Sequence, residues 1–290
     1  MTVVTKSILK VVYPKKPKWS HKGQYGRLLV VSGSKWMAGA PSLIGFAALK
    51  SGLDTIYFTG PKRAMDVTAA SFPTFINNPM DCDFLGIKQV GEVLDFAEEM
   101  RVTGLVIGPG LYRKPDTRKA IIRVVESLDV PMVIDADAIR SMSAAPRILK
   151  NKVAVLLPHT DEFRELTGVK IVNDIDVGKR SELVRKQSER LGTVIVLKGN
   201  VDIISDGKRT LLNKTGSYFM TKGGFGDTMA GICGALLSRR INKVDAFSAG
   251  VATAYINGRA GELAARKYGL GMLPTDLINE IPNVIKLGRS

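Results

Sequence analysis

Cysteine and histidine each occur only twice in this chain of 290 residues. Cys82 and Cys233 lie far apart and in no CxxC pair, which argues against a disulfide framework or a zinc site and fits a reducing cytoplasm. No run of about 18 apolar residues occurs. The amino-terminal MTVVTKSILKVVYPKKPK is broken by Lys6 and Lys10 and carries no small-residue cleavage signal. A soluble, cytoplasmic protein without a membrane partner is expected. GxSxG, HExxH and a Cys–His nucleophile pair are also missing, which sets aside protease and hydrolase chemistry. Neither the GxxxxGK[ST] phosphate loop nor the GxGxxG dinucleotide fingerprint is present.

Acidic residues are comparatively few. Against 42 Lys and Arg stand 27 Asp and Glu, a net charge of +15, and such a field favours anionic partners such as nucleotides. The excess is spread thinly, with Lys15-Lys16-Pro17-Lys18 its only tight cluster and no basic stripe interleaved with aromatics, so no nucleic-acid partner is expected. With 45% apolar residues the chain can bury one large core. No internal repeat, low-complexity tract or long linker divides it, and a single domain over 1–290 follows, with Asn77–Asp83 read as a loop.

Strand-like and helix-like runs alternate along the chain, the pattern of an α/β fold with a doubly wound, mostly parallel sheet and helices on both faces. Strands are predicted at Arg27–Val31, Thr55–Phe58, Leu105–Ile107, Met132–Ile134, Val153–Leu157 and Val194–Leu197, each a short apolar run. Helices are predicted from Pro41 to Lys50, over Asp116–Ser127 and over Val177–Leu191. Later, Val201–Ser205 and Arg209–Leu212 flank Asp206-Gly207 and read as a hairpin giving the sheet an antiparallel edge. Asp227–Leu237 and Ala246–Tyr268 supply two closing helices.

In such a sheet ligands bind beyond the carboxyl ends of the strands, and nearly every predicted exit carries unusual residues. These are Ser32-Gly33-Ser34 with Met37-Ala-Gly-Ala40, Gly108-Pro-Gly-Leu111, Asp135-Ala-Asp137, Pro158-His159-Thr-Asp-Glu162 and Lys198-Gly199-Asn200. Asp135 and Asp137 alternate, so without a turn they face opposite sides. Glu162 reads either as an acid favoured by a helix dipole or as a carboxylate holding Mg²⁺ through water. The richest stretch is Thr221-Lys-Gly-Gly-Phe-Gly-Asp227-Thr-Met-Ala-Gly231. Glycines let backbone approach a ligand, and a helix starting near Asp227 would aim unpaired N–H groups at an anion; the Asp227 carboxylate beside it could act as a base. An ordinary loop and cap fits the same residues.

Taken in order, His21-Lys-Gly-Gln-Tyr-Gly26, Gly33-Ser34 with Gly39-Ala40, Gly108-Pro-Gly110, Asp135-Ala-Asp137, Pro158-His159 with Glu162-Phe163, Lys198-Gly199 and Gly223-Gly-Phe-Gly-Asp227 make a chain that resembles the NAD(P)H-hydrate dehydratases, a branch of the ribokinase-like superfamily. The resemblance implies repair of (S)-hydrated NADH and NADPH, with ADP or ATP phosphorylating the C6 hydroxyl and loss of phosphate restoring the double bond. It implies Asp227 as the base, Ala40, Gly108, Gly110, His159 and Asp227 against the hydrated dinucleotide, and Lys198, Gly199, Asn200, Val201, Asp202, Gly224, Phe225 and Gly226 around the nucleotide. It further implies Glu162 toward Mg²⁺, a homo-oligomer, and a separate epimerase, because no fused epimerase domain is recognisable. The chain departs from the family in having Phe225 where Ser or Thr is common, and Lys222 where a small or hydroxylated residue is common. A ribokinase-like kinase for a vitamin precursor would use the same Asp227 and anion hole, and a nucleotide-binding sensor without catalysis is the remaining alternative.

Overall fold

The computed structural model describes residues 2–171 and 176–288. At its centre is one ten-stranded sheet. In chain order the strands are β1 (Thr2–Val3), β2 (Arg27–Val31), β3 (Thr55–Pro61), β4 (Ile76–Met80), β5 (Gly104–Ile107), β6 (Met132–Ile134), β7 (Ala154–Leu156), β8 (Val194–Leu197), β9 (Asp202–Ser205) and β10 (Thr210–Asn213). Across the sheet they run β1-β10-β9-β8-β7-β6-β5-β2-β3-β4. The block from β8 to β4 is parallel throughout, so all its strand exits open on one rim. β9 and β10 add the expected antiparallel edge, with Gly207 at φ 90° in the turn between them.

The apolar strand runs have a direct cause. Successive side chains of a strand point to opposite faces, and here both faces are covered. Leu28, Val30, Val106, Val133 and Val196 pack into one core layer, while Leu29, Val31, Leu105, Ile134 and Ile195 pack into the other. The first layer is closed by helices α2 (Ala40–Lys50), α9 (Phe225–Leu237), α10 (Ala246–Tyr268) and α11 (Pro274–Leu287), with α1 (Ile8–Val12) and α3 (Lys62–Ser71) beside them. The second is closed by α4 (Val90–Glu99), α5 (Pro115–Ser127), α6 (Asp137–Met142), α7 (Thr160–Thr167) and α8 (Val177–Leu191).

One expectation is corrected. The segment read as a loop over Asn77–Asp83 contains all of β4 but its first residue, and Ile76–Met80 pairs in parallel with Tyr57–Pro61. Its polar residues and Pro79 hide the strand from a hydrophobicity reading, yet an edge strand tolerates both, since one side of its ladder has no partner. The helix expected near Asp227 begins two residues earlier, at Phe225.

α9 and α2 approach unusually closely at Gly231. A Cβ there would lie 2.3 Å from the Ile44 carbonyl oxygen and 2.9 Å from the Ala47 Cβ. Gly231→Ala should therefore push α9 off α2 and cost roughly 1–3 kcal/mol, the usual penalty for overpacking. A lowered urea midpoint at unchanged slope checks it.

Candidate active site

The exits of β2, β5, β6, β7 and β8 meet the amino end of α9 on the carboxyl rim. Gly224 caps that helix at φ 102°, a conformation that glycine adopts without strain. No side chain caps α9, so its first-turn amides are left for a ligand. Phe225 is buried in the core below, which keeps its ring out of the way of its own backbone. Lys222, the other departure from the family pattern, is tied down: its Nζ donates to the carbonyls of Leu270 (2.6 Å) and Met272 (2.8 Å).

Asp227 stands in the first turn of α9. Burial pushes its carboxyl up to about 7, Asp135 adds to the rise, and Lys198 opposes it. The same lysine donates to Asp135 Oδ1 at 2.9 Å and lies 3.9 Å from Glu162 Oε2. Those carboxylates hold its ammonium above the ordinary lysine range although burial works the other way. Three acids and one cation thus converge beside Gly226, where a Cβ would sit 3.6 Å from Lys198 Nζ and 3.9 Å from Asp135 Oδ2.

Asp135 and Asp137 do part company, and a strained turn separates them. Ala136 takes φ 48° and ψ −121°, a sparsely populated region for a residue with a Cβ. Asp135 turns into the site, while Asp137 Oδ2 accepts from the Tyr112 amide at 2.9 Å.

His159 and Glu162 form the opening of α7. His159 Nδ1 accepts from the amides of Asp161 (3.1 Å) and Glu162 (3.4 Å), which leaves Nε2 to carry the proton, 3.1 Å from Glu162 Oε1. Glu162 Oε2 in turn accepts from the His159 amide at 2.9 Å. The Glu162 carboxyl is raised above its usual range, first by burial, with Lys198 countering. Of the two readings made for Glu162 from sequence, the first-turn acid of α7 is what the structure shows, with its carboxylate turned toward Lys198. The His159 ring remains 45% exposed and open to a ligand.

Of the residues expected around a nucleotide, Lys198, Gly199, Asn200, Asp202, Phe225 and Gly226 line a single cleft of about 550 Å³. Val201 instead packs its side chain on the core, and Gly224 serves as the helix cap. Asp202 accepts from the Gly199 amide (3.0 Å) and from Asn213 Nδ2 (3.0 Å), and burial raises its carboxyl to about 6. The far wall, from Thr215 to Tyr218 with Met220 and Asn257, was not read from the sequence, because no charge or spacing distinguishes it; Thr221 beside it opens the glycine-rich stretch singled out there. On the other side, Ala40 opens α2, which also lacks a side-chain cap. The loops holding Gly33 and Gly108–Gly110 are joined there by the Gly33 amide and Ser32 hydroxyl, both donating to the Pro109 carbonyl (3.0 and 2.6 Å).

Among the described residues no group of three or more His, Cys, Asp or Glu could hold a metal ion by itself, and no helix is long and apolar enough to cross a membrane.

Known proteins resemble this chain. The ADP-dependent (S)-NAD(P)H-hydrate dehydratase of Nitrosopumilus maritimus is 34% identical over 286 residues, which cover 98% of this chain and 96% of that protein. The bifunctional NAD(P)H-hydrate repair enzyme Nnr of Pyrobaculum aerophilum is 36% identical over 92% of this chain. The chain spans about half the length of such bifunctional relatives, 52% in that case. Among solved structures, the ADP/ATP-dependent NAD(P)H-hydrate dehydratase of Bacillus subtilis, co-crystallised with ATP and Mg²⁺, superimposes with a TM-score of 0.82 at 28% identity, over 99% of this chain and 98% of that one. The family model described as NAD(P)H-hydrate dehydratase matches residues 28–283, a span that takes in every element of the rim, and the chain with its ribokinase-like fold belongs to that family.

Proposed function

We propose that this protein repairs the (S)-hydrates of NADH and NADPH, using ADP or ATP as phosphoryl donor. The observation that carries the reading is Asp227, an acid raised to about 7 in the first turn of an uncapped helix. At neutral pH such a carboxylate is poised to accept a proton, and the adjacent amides are placed to receive an anion.

The chemistry follows from these groups. Asp227 takes the proton of the C6 hydroxyl as its oxygen attacks the terminal phosphorus of the nucleotide. One P–O bond forms and the bond to the leaving nucleotide breaks. The first-turn amides of α9 hold the transferring group, and Lys198 offsets charge that the nearby acids would otherwise repel. The ring nitrogen's lone pair then expels phosphate from C6, and loss of a C5 proton restores the double bond. Hydroxide would leave poorly; phosphate leaves well.

Mg²⁺ fits this site only in part. Both oxygens of Glu162 already have protein partners, and no cage of three ligands exists among the described residues. That donor set suits an ion held mainly by nucleotide phosphates and water, with Glu162 reached through water. Bound so, Mg²⁺ would neutralise phosphate charge. We further propose that the protein acts on the S epimer and relies on an epimerase for the R form.

Return of the near-ultraviolet absorbance of the dihydronicotinamide ring, after racemic hydrate is mixed with protein, Mg²⁺ and ADP or ATP, tests all of this. A nucleotide-dependent rise that levels off at the share of the S form is expected. A stable phosphate ester with no rise would turn the reading to a small-molecule kinase.

A further inference from the structure

A second depression adjoins the site and is not used by the steps above. It is an open groove of about 650 Å³ between α5 and α6. Five cations line it, Arg113, Lys114, Arg118, Lys119 and Arg140, against two carboxylates, Asp137 and Glu165. Both carboxylates are taken: Asp137 Oδ1 lies 3.5 Å from Arg113 Nε, and Glu165 pairs with Arg140. Lys114, Arg118 and Lys119 have no carboxylate within ion-pair distance among the described residues. Arg118 meets only a neutral partner, donating to Ser143 Oγ at 2.9 Å, and Lys114 Nζ sits 3.9 Å over the Phe84 ring. Arg118 follows Lys114 by one helical turn, its amide donating to the Lys114 carbonyl at 3.0 Å, so the two stand on one face.

At the end nearest the rim the groove meets three rings. Trp36, Phe84 and Tyr112 touch pairwise, with centroids 4.9 to 5.3 Å apart. Trp36 is 62% exposed and Tyr112 39% exposed. Aromatic rings exposed together beside charged groups offer a stacking surface to a planar ligand. Tyr112 follows Gly110 by two residues, and Arg140 bridges groove and site, pairing with Glu165 on one side and lying 4.0 Å from Glu162 on the other. The cleft lined by Lys198, Gly199, Asn200 and Asp202 lies by β8 and β9 and shares no lining residue with this groove, so two anionic ligands would have separate basins.

We infer that this groove seats the adenosine end of the hydrated dinucleotide, with Lys114, Arg118 and Lys119 holding the 2′-phosphate that distinguishes the NADPH form and the Trp36 ring covering the purine. Guanidinium and ammonium groups bind phosphate strongly when no carboxylate competes, and base stacking on an aromatic face is a general mode of purine binding. The inference rests on the reading that hydrated dinucleotides are the substrates.

The test pairs kinetics with binding. In the Arg118→Ala/Lys119→Ala variant the KM for the NADPH hydrate should rise about tenfold or more, the loss expected for charged hydrogen bonds, and by clearly more than the KM for the NADH hydrate. Separately, with ADP saturating the other cleft, calorimetric titration with adenosine 2′,5′-bisphosphate should weaken in the variant, while titration with adenosine 5′-monophosphate changes much less. Trp36→Ala should weaken both. Equal effects on the two hydrates, or unchanged bisphosphate binding, would overturn the assignment. If the unaltered protein repairs neither hydrate, the substrate reading fails instead, and the bisphosphate titration still decides whether the groove is a phosphate site.

Discussion

Asp227→Asn should lower turnover by on the order of 100- to 10,000-fold, the range general-base groups contribute, while leaving nucleotide affinity nearly intact. Asparagine keeps the size of the side chain and its place in the first turn of α9, so the amides of the helix still meet the phosphates. What disappears is the carboxylate proposed to take the proton of the C6 hydroxyl. The pH profile makes the same point independently. A base raised to about 7 by burial and by Asp135 loses activity as pH falls through that value, because protonation removes its acceptor. In the unaltered protein kcat/KM should therefore show an acidic limb near 7, well above the ordinary carboxylate range, and the residual activity of the variant should lack it. Steady-state kinetics over pH together with calorimetric nucleotide titration check both halves. An unchanged turnover would remove Asp227 from the mechanism.

The second large effect belongs to Lys198→Met. This lysine is set among Asp135, Glu162 and Asp227, where Arg140 reaches only Glu162, at 4.0 Å, and its loss leaves those acids facing one another. Removing one partner of a buried charge pair costs about 3–5 kcal/mol, less where an acid takes up a proton instead. The sign of the pH dependence follows. Folded-state carboxyls raised above their unfolded values bind more protons than the unfolded chain, so their contribution is most favourable below the unfolded values, near 4, and is lost as pH rises through the folded ones. Without Lys198 that loss steepens. Denaturant unfolding should show a larger deficit at pH 8 than at pH 5, and the acidic limb of activity should move to higher pH, since the lysine is what holds Asp227 down. A parallel loss at both pH values would mean that the lysine acts by packing alone.

Much of this architecture was legible in the sequence, because strands buried on both faces must be apolar almost throughout, and Arg27–Val31, Met132–Ile134 and Val194–Leu197 are. β4 was not, because an edge strand has no such requirement. At the site, the glycine loop, Asp227 and the exit residues announce themselves by type and position. The partnership of Asp135 with Lys198 does not: the residues are 63 apart in sequence, and only the parallel order of β6, β7 and β8 brings them together. The aromatic trio was equally hidden, since Trp36, Phe84 and Tyr112 come from three loops and share no spacing.

The tether from Lys222 to the carbonyls of Leu270 and Met272 reaches beyond local geometry. Pro274 also crowds Gly224, with its Cγ 2.8 Å from where a Cβ would be. The glycine loop is thereby braced against the start of the last helix, far along the chain from β1 to β8. Helix α11 is thus a buttress of the glycine turn as well as a cover for the core. Damage to it, by proteolysis or truncation, would reach that turn directly, and the proposed hold on phosphate would fade before the sheet itself came apart.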